Sequence, residues 1–244
     1  MSVTLKLATS LDGRIATASG ESRWITGEAA REQVHRLRAM HQAVLVGVET
    51  AIADDPELTV RLAGYVGAQP SRVVLDSKGR LPLTSKLVTD AKRLDTIVVT
   101  TQHDERLTDA GVTVLAVQAR EGRVDPQAAV EALVADGPAR LFRQLNRLKG
   151  EKPETAAFVT AKLPDLGNLT NILIEGGGQV AASFLSAGLV DSLEWFRAPI
   201  ILGDEGRPAV GDFVLQRLAD APRFRRVDVQ ALGDDLWERY ERQS

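Results

Sequence analysis

Residues 171–185 read Asn-Ile-Leu-Ile-Glu-Gly-Gly-Gly-Gln-Val-Ala-Ala-Ser-Phe-Leu, which predicts a buried strand, a glycine turn and an amphipathic helix. Glycines let a backbone approach an anion closely, and the free amides at a helix start attract negative charge. The turn is therefore a candidate phosphate cradle. A tight strand-to-helix turn without a ligand fits the same spacing, because a lone Gly-x-Gly-x-x-Ala match is a weak signal.

The segments upstream also alternate between predicted strands and helices. Apolar β-branched runs at residues 72–76, 96–100 and 112–117 read as buried strands, since apolar residues fill both faces. A helix with Thr26 as its N-cap is predicted between strands, with an apolar stripe of Ala30, Val34 and Leu37. Alternating strands and helices predict a mainly parallel sheet covered by helices.

The C-terminal part changes character. Residues 226–230 and 236–240 flank a Gly233 turn without an intervening helix, which predicts an antiparallel hairpin. Residues 191–199 read as one more strand that ends at Pro199. The sum is one mixed α/β sheet of about eight or nine strands, in a single domain over residues 1–244. Residues 138–167 do not fit the alternation of strands and helices and are predicted to be a surface insertion.

Composition excludes several function classes. The 244 residues carry 30 basic and 33 acidic side chains, a net charge of −3, so no nucleic-acid or membrane-surface partner is expected. No apolar stretch is long enough for a membrane span and the start lacks a signal peptide, which predicts a cytoplasmic protein. The chain has no cysteine and its 3 histidines are scattered, so no metal site is expected. The remaining sources of chemistry are carboxylates, hydroxyls, arginines, backbone amides and a borrowed cofactor.

A second polar cluster occupies residues 47–61. Thr50 and Asp54 lie one helical turn apart and could offer a hydroxyl and a carboxylate to one ligand. The alternative is that Asp54, Asp55 and Pro56 only end a short helix. Arg38 and Arg61 could grip a substrate phosphate, because guanidinium forks match phosphate oxygens; the alternative for each is a solvated arginine.

Residues 77–80, Ser-Lys-Gly-Arg, follow a predicted strand. A hydroxyl with nearby cations at a strand's carboxyl end could hold a 2′-phosphate, and a plain polar turn is the alternative. His35 and Trp24 have ordinary interpretations, as a helix-surface imidazole and a packed aromatic ring.

Taken together, a series of motifs resembles the reductase of bacterial riboflavin biosynthesis. In order they are Val-Thr-Leu-Lys-Leu-Ala-Thr-Ser-Leu-Asp-Gly-Arg at 3–14, Ser-Gly-Glu-Ser-Arg-Trp-Ile-Thr at 19–26, Val-Gly-x-x-Thr at 46–50, Asp-Asp-Pro-x-Leu-Thr-x-Arg at 54–61, Val-Leu-Asp-Ser at 74–77, Leu-Ile-Glu-Gly-Gly-Gly at 173–178, Ala-Gly-Leu-Val-Asp at 187–191 and Ala-Pro-Ile-Ile-Leu-Gly at 198–203. The ordered series covers nearly the whole chain and is far more specific than any one motif. Residues 137–167 depart from the family pattern.

The resemblance implies a dihydrofolate-reductase-like fold, a homodimer and NADPH as hydride donor. It implies a phosphoribosylaminopyrimidine substrate whose ribosyl group is reduced to ribityl. The family's reductase is often fused behind a zinc deaminase that needs paired cysteines. Without cysteine, this sequence resembles the reductase alone, with no deaminase domain.

The resemblance also implies site residues, carried over position by position. NADPH contacts fall on Ala8, Trp24, Thr50, Asp54, Ser77, Gly177, Gly178, Gln179, Val180, Ala181, Ala182 and Ser183. Substrate contacts fall on Ser22, Arg38, Leu58, Arg61 and Glu175. Asp54 and Glu175 are the candidate catalytic carboxyls: Asp54 for moving protons during ring opening and reduction, Glu175 for anchoring the pyrimidine or the ribose hydroxyls. The glycine turn is expected to direct its coenzyme toward the sugar held by the two arginines.

Two alternative functions stay open at this point. One is an NADPH-dependent reductase of another heterocycle, such as dihydrofolate or a pteridine-like metabolite. The other is a non-catalytic NADPH-binding regulator. The sequence leaves open whether the substrate is the deaminated or the diamino pyrimidine, because the two differ in one exocyclic group.

Overall fold

The computed structural model describes residues 1–137, 139, 143 and 170–243. The predicted insertion at 138–167 lies outside these residues apart from positions 139 and 143. In chain order the strands are β1 (Ser2–Thr9), β2 (Arg14–Ala16), β3 (Ala43–Gly47), β4 (Ser71–Leu75), β5 (Thr96–Thr100), β6 (Thr113–Ala116), β7 (Ala119–Arg120), β8 (Arg123–Val124), β9 (Asn171–Gly176), β10 (Ser192–Arg197), β11 (Arg207–Pro208), β12 (Phe224–Leu232) and β13 (Asp235–Arg242).

The helices are α1 (Glu28–Met40), α2 (Val48–Asp54), α3 (Lys86–Thr89), α4 (Glu105–Asp109), α5 (Pro126–Ala135) and α6 (Gly178–Ser186), and a 3₁₀ turn covers Leu218–Asp220. The chain divides into two compact units, which are described separately. Unit 1 comprises Met1 and residues 35–172, and unit 2 comprises residues 2–34 and 173–244.

Unit 1 is built on four parallel strands in the order β3-β4-β5-β6. Every residue of β3, β4 and β5 is buried, as expected for parallel strands covered on both faces. Register places Val44 opposite Arg72 and Val98 opposite Val114. The apolar core around these strands includes Val46 of β3 and Val74 of β4, together with Leu58, Leu81, Leu87 and Leu107.

A buried arginine fixes the amino-terminal edge of these strands. Arg72 is 0% exposed, and its Nη2 donates to the carbonyl oxygen of Leu87 at 3.0 Å and to the hydroxyl of Thr96. Next to it, the Ser71 hydroxyl donates to Asp95 Oδ2 at 2.5 Å. A buried charge needs such partners, because an unpaired one would cost several kcal/mol, on the order of the penalties known for isolated buried ions.

Unit 2 contains mixed strand pairing, with its strands in the order β12-β13-β10-β1-β9. Strand β1 pairs with β10 in parallel, whereas β10 with β13 and β13 with β12 are antiparallel. The rings of Phe196 and Trp237 stack in the core, with centroids 5.8 Å apart. The predicted α/β fold, mainly parallel with an antiparallel C-terminal hairpin, is therefore confirmed.

The start of α1 corrects one detail of the sequence interpretation. The Arg31 amide donates to the carbonyl oxygen of Gly27, so Gly27 rather than Thr26 occupies the N-cap position. The Gly27 amide is held by Asp235 Oδ2 at 2.6 Å, and the Thr26 carbonyl accepts from Arg31 Nη1 at 2.9 Å. The predicted apolar stripe holds, since Ala30 and Leu37 are buried.

Among the described residues, no helix has both the length and the apolar character needed to cross a membrane.

Candidate functional site

The loop after α2 in unit 1 carries several of the predicted residues. As predicted, Asp54 is the last residue of the short helix, and Asp55 follows in the left-handed region with φ of 40°. Leu58 also has a positive φ, 55°, although it is not glycine. Such backbone conformations persist only where the surroundings hold them, and Leu58 is held by burial, with 3% exposure. Thr50 and Asp54, one turn apart on α2, are both half-buried.

The two arginines proposed for phosphate meet at Thr59. Arg38, in the last turn of α1, donates from Nη1 to the Thr59 carbonyl oxygen at 2.9 Å. Arg61 Nη1 donates to the Thr59 hydroxyl at 3.2 Å and lies 3.4 Å from Glu57 Oε2. The structure thus brings Arg38 and Arg61 together within unit 1, around one residue that the sequence interpretation did not single out.

His35 belongs to the same group, which corrects its interpretation as a surface imidazole. The residue is half-buried, and its Nδ1 lies 3.1 Å from the Thr59 carbonyl oxygen and 3.2 Å from the Arg61 amide nitrogen. Its place three residues before Arg38 on α1 was the available signal, because residues three apart share a helix face. We call His35, Arg38, Thr59 and Arg61 the arginine group.

A cleft of about 520 Å³ lies at the carboxyl ends of β4 and β5 in unit 1. Its lining combines cationic, amide and acidic side chains, namely Lys78, Gly79, Gln102, His103, Asp104, Glu105 and Arg106. Ser77 lies beside it, with its hydroxyl accepting from the Val124 amide at 2.8 Å. Asp104 is paired with Arg106, and this hydrogen bond lowers the pKa of Asp104 below its usual value. The sequence interpretation missed Gln102 and His103.

The glycine bend in unit 2 joins β9 to α6 as predicted. Gly177 has φ of 93°, a conformation that favours glycine, and α6 begins at Gly178 with no acidic side chain in its first turn. A Cβ on Gly178 would lie 2.6 Å from the Pro208 carbonyl oxygen, and the Gly211 amide donates to the Gly178 carbonyl at 2.8 Å. The chain's own backbone is therefore what closely approaches Gly178.

The residues along α6 differ in what they can present to a ligand. Ala181 and Ala182 are 1% and 3% exposed, and Val180 is 9% exposed. The Gln179 side chain is exposed and donates from Nε2 to Asp212 Oδ2 at 3.0 Å, whereas the Ser183 hydroxyl donates to the Val180 carbonyl at 2.9 Å. The first amides of a helix have no acceptor within it, so they are the groups that could meet an anion here.

The other predicted residues of unit 2 are placed as follows. Glu175 is half-buried on β9, two residues before Gly177, and Ala8 is half-buried on β1. Ser22 is half-buried in the segment before α1. Trp24 is 70% exposed with the Arg31 guanidinium 4.8 Å from its ring centre, so its interpretation as a packed aromatic is wrong.

Unit 2 also contains a cleft, with a volume of about 470 Å³, which the sequence did not indicate. It is lined by residues 9–13 of the loop after β1 and by Trp195, Arg197, Glu238 and Tyr240. A hydrogen bond from the Ser10 hydroxyl, supported by the amides of Leu202 and Gly203, lowers the pKa of Asp12 to about 2. Arg197 donates to Glu238 Oε2 at 2.6 Å and Tyr240 donates to Oε1 at 3.0 Å, so this network is internally satisfied.

In the part of the chain that the structure describes, no three histidine, cysteine or acidic side chains cluster in a way that could hold a metal ion.

The fold, with polar residues at strand ends and a glycine bend before α6, defines a mixed α/β protein of the dihydrofolate-reductase-like class. Residues 1–143 and 157–237 match the RibD C-terminal domain family, and the chain belongs to that family. The riboflavin biosynthesis protein RibD of Aquifex aeolicus is 35% identical over 237 residues, which cover 96% of this chain and 56% of that protein.

Solved structures are also similar to this chain over nearly its whole length. Acinetobacter baumannii RibD, form 1, superposes with a TM-score of 0.76 at 32% identity, covering 100% of this chain and 58% of that one. A Thermotoga maritima diaminohydroxyphosphoribosylaminopyrimidine deaminase/5-amino-6-(5-phosphoribosylamino)uracil reductase gives a TM-score of 0.70 at 25% identity, covering 99% and 56%. The chain spans about half the length of the curated relatives it matches.

Proposed function

We propose that the chain reduces the ribosyl group of a 5-amino-6-(5-phosphoribosylamino)pyrimidine to a ribityl group, with NADPH as hydride donor. Membership of the RibD C-terminal domain family supports this proposal, as does the reductase activity in the name of the Thermotoga maritima relative. The single observation that carries it is the meeting of Arg38 and Arg61 at Thr59.

The arginine group is suited to a phosphate monoester on the substrate. Two guanidinium groups supply several donors at fixed angles, which matches the oxygens of a phosphate better than ammonium groups would. The Arg61 side chain is 52% exposed, so it can reach a ligand from solvent. Guanidinium groups also bind carboxylates, which dihydrofolate carries in its glutamate tail, so the substrate assay below distinguishes the phosphoribosyl substrate from the rival heterocycle.

Reduction also requires proton movement. A closed furanose offers no electrophilic carbon, so the C1′–O4′ bond must break as O4′ gains a proton and the amine nitrogen loses one, which leaves a neutral C1′=N imine. After hydride adds to C1′, the nitrogen takes up a proton. Asp54, half-buried at the end of α2, is the residue we assign to this proton transfer, because a positioned carboxyl can donate and accept in turn. We assign Glu175 to anchoring the pyrimidine or the ribose hydroxyls.

The residues present fit NADPH in two respects. The start of α6 offers successive backbone amides with no acidic side chain in its first turn, which suits a diphosphate. The cleft beside Ser77 contains Lys78 and His103, which suit a 2′-phosphate. When bound, the nicotinamide supplies the hydride. Among the resemblance-derived contacts, Ala181 and Ala182 are buried in α6, so we assign them to supporting the helix.

We further propose that the whole chain works as one reductase domain and as a homodimer. Strand β12 is at the edge of the strand order in unit 2, and its Val227 and Val229 are 40% and 47% exposed. Exposed valines on a long edge strand favour association with a second copy. Light scattering would measure the molar mass, and a monomer at micromolar concentration would contradict the dimer. The cytoplasmic location stays a prediction.

Spectrophotometry of NADPH tests the proposed activity. The deaminated and the diamino phosphoribosylaminopyrimidines are offered separately, with dihydrofolate as a third substrate. We expect coenzyme oxidation with at least one of the aminopyrimidines and none with dihydrofolate. Oxidation with dihydrofolate alone would support the rival reductase, and binding of NADPH without oxidation in any mixture would support a regulator.

A further inference from the structure

His35 makes contacts that tie it to the loop carrying Arg61. Its Nδ1 lies 3.1 Å from the carbonyl oxygen of Thr59 and 3.2 Å from the amide nitrogen of Arg61. The same Thr59 carbonyl accepts from Arg38 Nη1 at 2.9 Å. One imidazole therefore contacts the stretch of backbone to which both arginines of the group are bound.

The opposite side of this backbone is held by Gln69. The Val60 amide donates to Gln69 Oε1 at 2.7 Å, and Gln69 Nε2 donates to the Val60 carbonyl at 3.2 Å. The Thr59 carbonyl shares one planar peptide group with the Val60 amide, and the Val60 carbonyl shares the next one with the Arg61 amide. Gln69 and His35 therefore contact the same two peptide groups from opposite sides. Without His35, the side of these peptide groups that faces α1 would lose one hydrogen bond, and the contact of Arg38 with the Thr59 carbonyl would remain.

The hydrogen positions allow two arrangements. One ring nitrogen cannot donate and accept at the same time. With its proton on Nε2, the ring accepts from the Arg61 amide at Nδ1, and Arg38 donates to the Thr59 carbonyl. With its proton on Nδ1, the ring donates to the Thr59 carbonyl together with Arg38. In both arrangements Nδ1 is the atom that holds the loop.

We propose that His35 is a positioning residue for phosphate recognition. It fixes the backbone from Thr59 to Arg61 so that the guanidinium groups of Arg38 and Arg61 are already arranged for one anion. Preorganisation of this kind lowers the entropy lost on binding. The inference rests on the proposed function, because it names how the same phosphate site is held. His35 acts through the loop, and we assign it no contact with the substrate.

A pair of near-isosteric variants isolates the role of Nδ1. Asparagine places its amide group near the position of Nδ1, whereas glutamine places its amide near Nε2. We expect His35→Gln to raise KM for the phosphoribosylaminopyrimidine about tenfold, roughly the effect of one lost hydrogen bond. Turnover at saturation should stay within about twofold, since the proton chemistry is elsewhere. His35→Asn should bring KM back to within about threefold of the wild-type value.

His41 provides the matched control. It lies directly after α1, and its Nδ1 is 2.7 Å from the Leu37 carbonyl oxygen, so it also binds backbone through the same ring atom. His41→Gln should leave KM unchanged, because its contact is to the helix and not to the loop of residues 59–61. Urea unfolding of all three variants shows whether they fold as the wild type does.

Competition by inorganic phosphate gives a second readout. We expect phosphate to inhibit the wild type competitively with the substrate, and His35→Gln to weaken this inhibition by the same factor as it raises KM. Unchanged KM and unchanged phosphate inhibition in His35→Gln would overturn the inference while leaving the proposed function standing. Equal effects of His35→Asn and His35→Gln, or of His35→Gln and His41→Gln, would also overturn it. A wild-type protein that reduces neither aminopyrimidine would contradict the proposed function and this inference with it.

Discussion

The guanidinium of Arg38 donates to the carbonyl oxygen of Thr59 across 2.9 Å, although 21 positions separate the two residues in the sequence. This contact joins the last turn of α1 to the loop that carries Arg61. It converts two arginines that are separately unremarkable in the sequence into one cationic group. The proposed phosphate site follows from that convergence, because two guanidinium groups offer one phosphate more donors than either arginine alone.

Arg61→Ala should raise KM for the phosphorylated substrate about tenfold or more, since a charge-assisted hydrogen bond contributes roughly 1.5–3 kcal/mol. The affinity for NADPH should not change. Steady-state kinetics and coenzyme titration measure the two effects. Arg93→Ala is the control, because that side chain is 66% exposed and pairs with Asp90. An equal loss of substrate and coenzyme affinity would count against Arg61 as a phosphate ligand.

Asp54→Asn should lower kcat about a hundredfold, the usual contribution of a positioned acid or base, with the fold intact. Asp55→Asn is the matched control. Asp55 has φ of 40°, which asparagine tolerates, and its Oδ1 accepts from the Lys86 amide at 2.8 Å, a contact that an amide oxygen retains. The control should keep kcat near the wild-type value. If Asp54→Asn also turned over normally, Asp54 would have no part in the proton transfer.

Gly178→Ala should destabilise the protein by about 1–3 kcal/mol, the usual range for overpacking. The added Cβ would lie 2.6 Å from the Pro208 carbonyl and 3.2 Å from the Gly211 amide nitrogen, both of which are backbone. Urea unfolding measures the loss. Ser186→Ala, on the exposed end of the same helix, should have little effect. Unchanged stability of Gly178→Ala would show that this backbone moves aside easily.

The buried carboxyl of Glu194 should make stability depend on pH. Burial raises the pKa of Glu194, and hydrogen bonds from Trp237 and Arg239 oppose the rise only in part. A carboxyl whose folded pKa is raised stabilises the folded state fully below the unfolded pKa, and this contribution is lost as pH rises through the folded value. In the wild type, the free energy of unfolding should therefore decline as pH rises above about 4.5, the ordinary pKa of a glutamate carboxyl. Glu194→Gln should make this decline smaller.

Urea unfolding at a series of pH values tests this decline. Gln keeps an oxygen for the Trp237 Nε1 donor, which lies 2.6 Å from Glu194 Oε2, so the variant should fold. Glu241→Gln, on the exposed surface of the hairpin formed by β12 and β13, is the control and should follow the wild-type profile. Parallel profiles for the wild type and Glu194→Gln would mean that Glu194 does not titrate above its ordinary range in the folded protein.

The sequence predicted the elements well because their signals are local. The buried strands β4 and β5 were visible as β-branched runs, and the C-terminal hairpin was visible as two runs around Gly233. The short helix before Asp55 was visible from its polar, proline-containing end. Periodicity and turn residues act over a few positions, so a single sequence contains them in full.

The missed features depend on contacts between distant residues. His35 was interpreted as a surface imidazole because its spacing from Arg38 indicates a shared helix face but not that Thr59 lies 3.1 Å from its ring. Gly178 was interpreted through ligand approach, whereas Pro208, 30 positions later, is what fills the space. Gln102 and His103 follow β5, and only the parallel pairing of β4 with β5 brings them beside Lys78. Side-chain periodicity contains no information on such encounters.

Transfer of label from the coenzyme tests the central claim most directly. NADPH carrying deuterium at the reactive carbon of the nicotinamide, in each of its two stereochemical forms, is incubated with the protein and the aminopyrimidine substrate. We predict that one of the two forms delivers its deuterium to C1′ of the new ribityl chain, as seen by mass spectrometry and by the loss of one of the two C1′ proton signals. Product without label at C1′ from either form, or label in the pyrimidine ring, would contradict the proposed reduction.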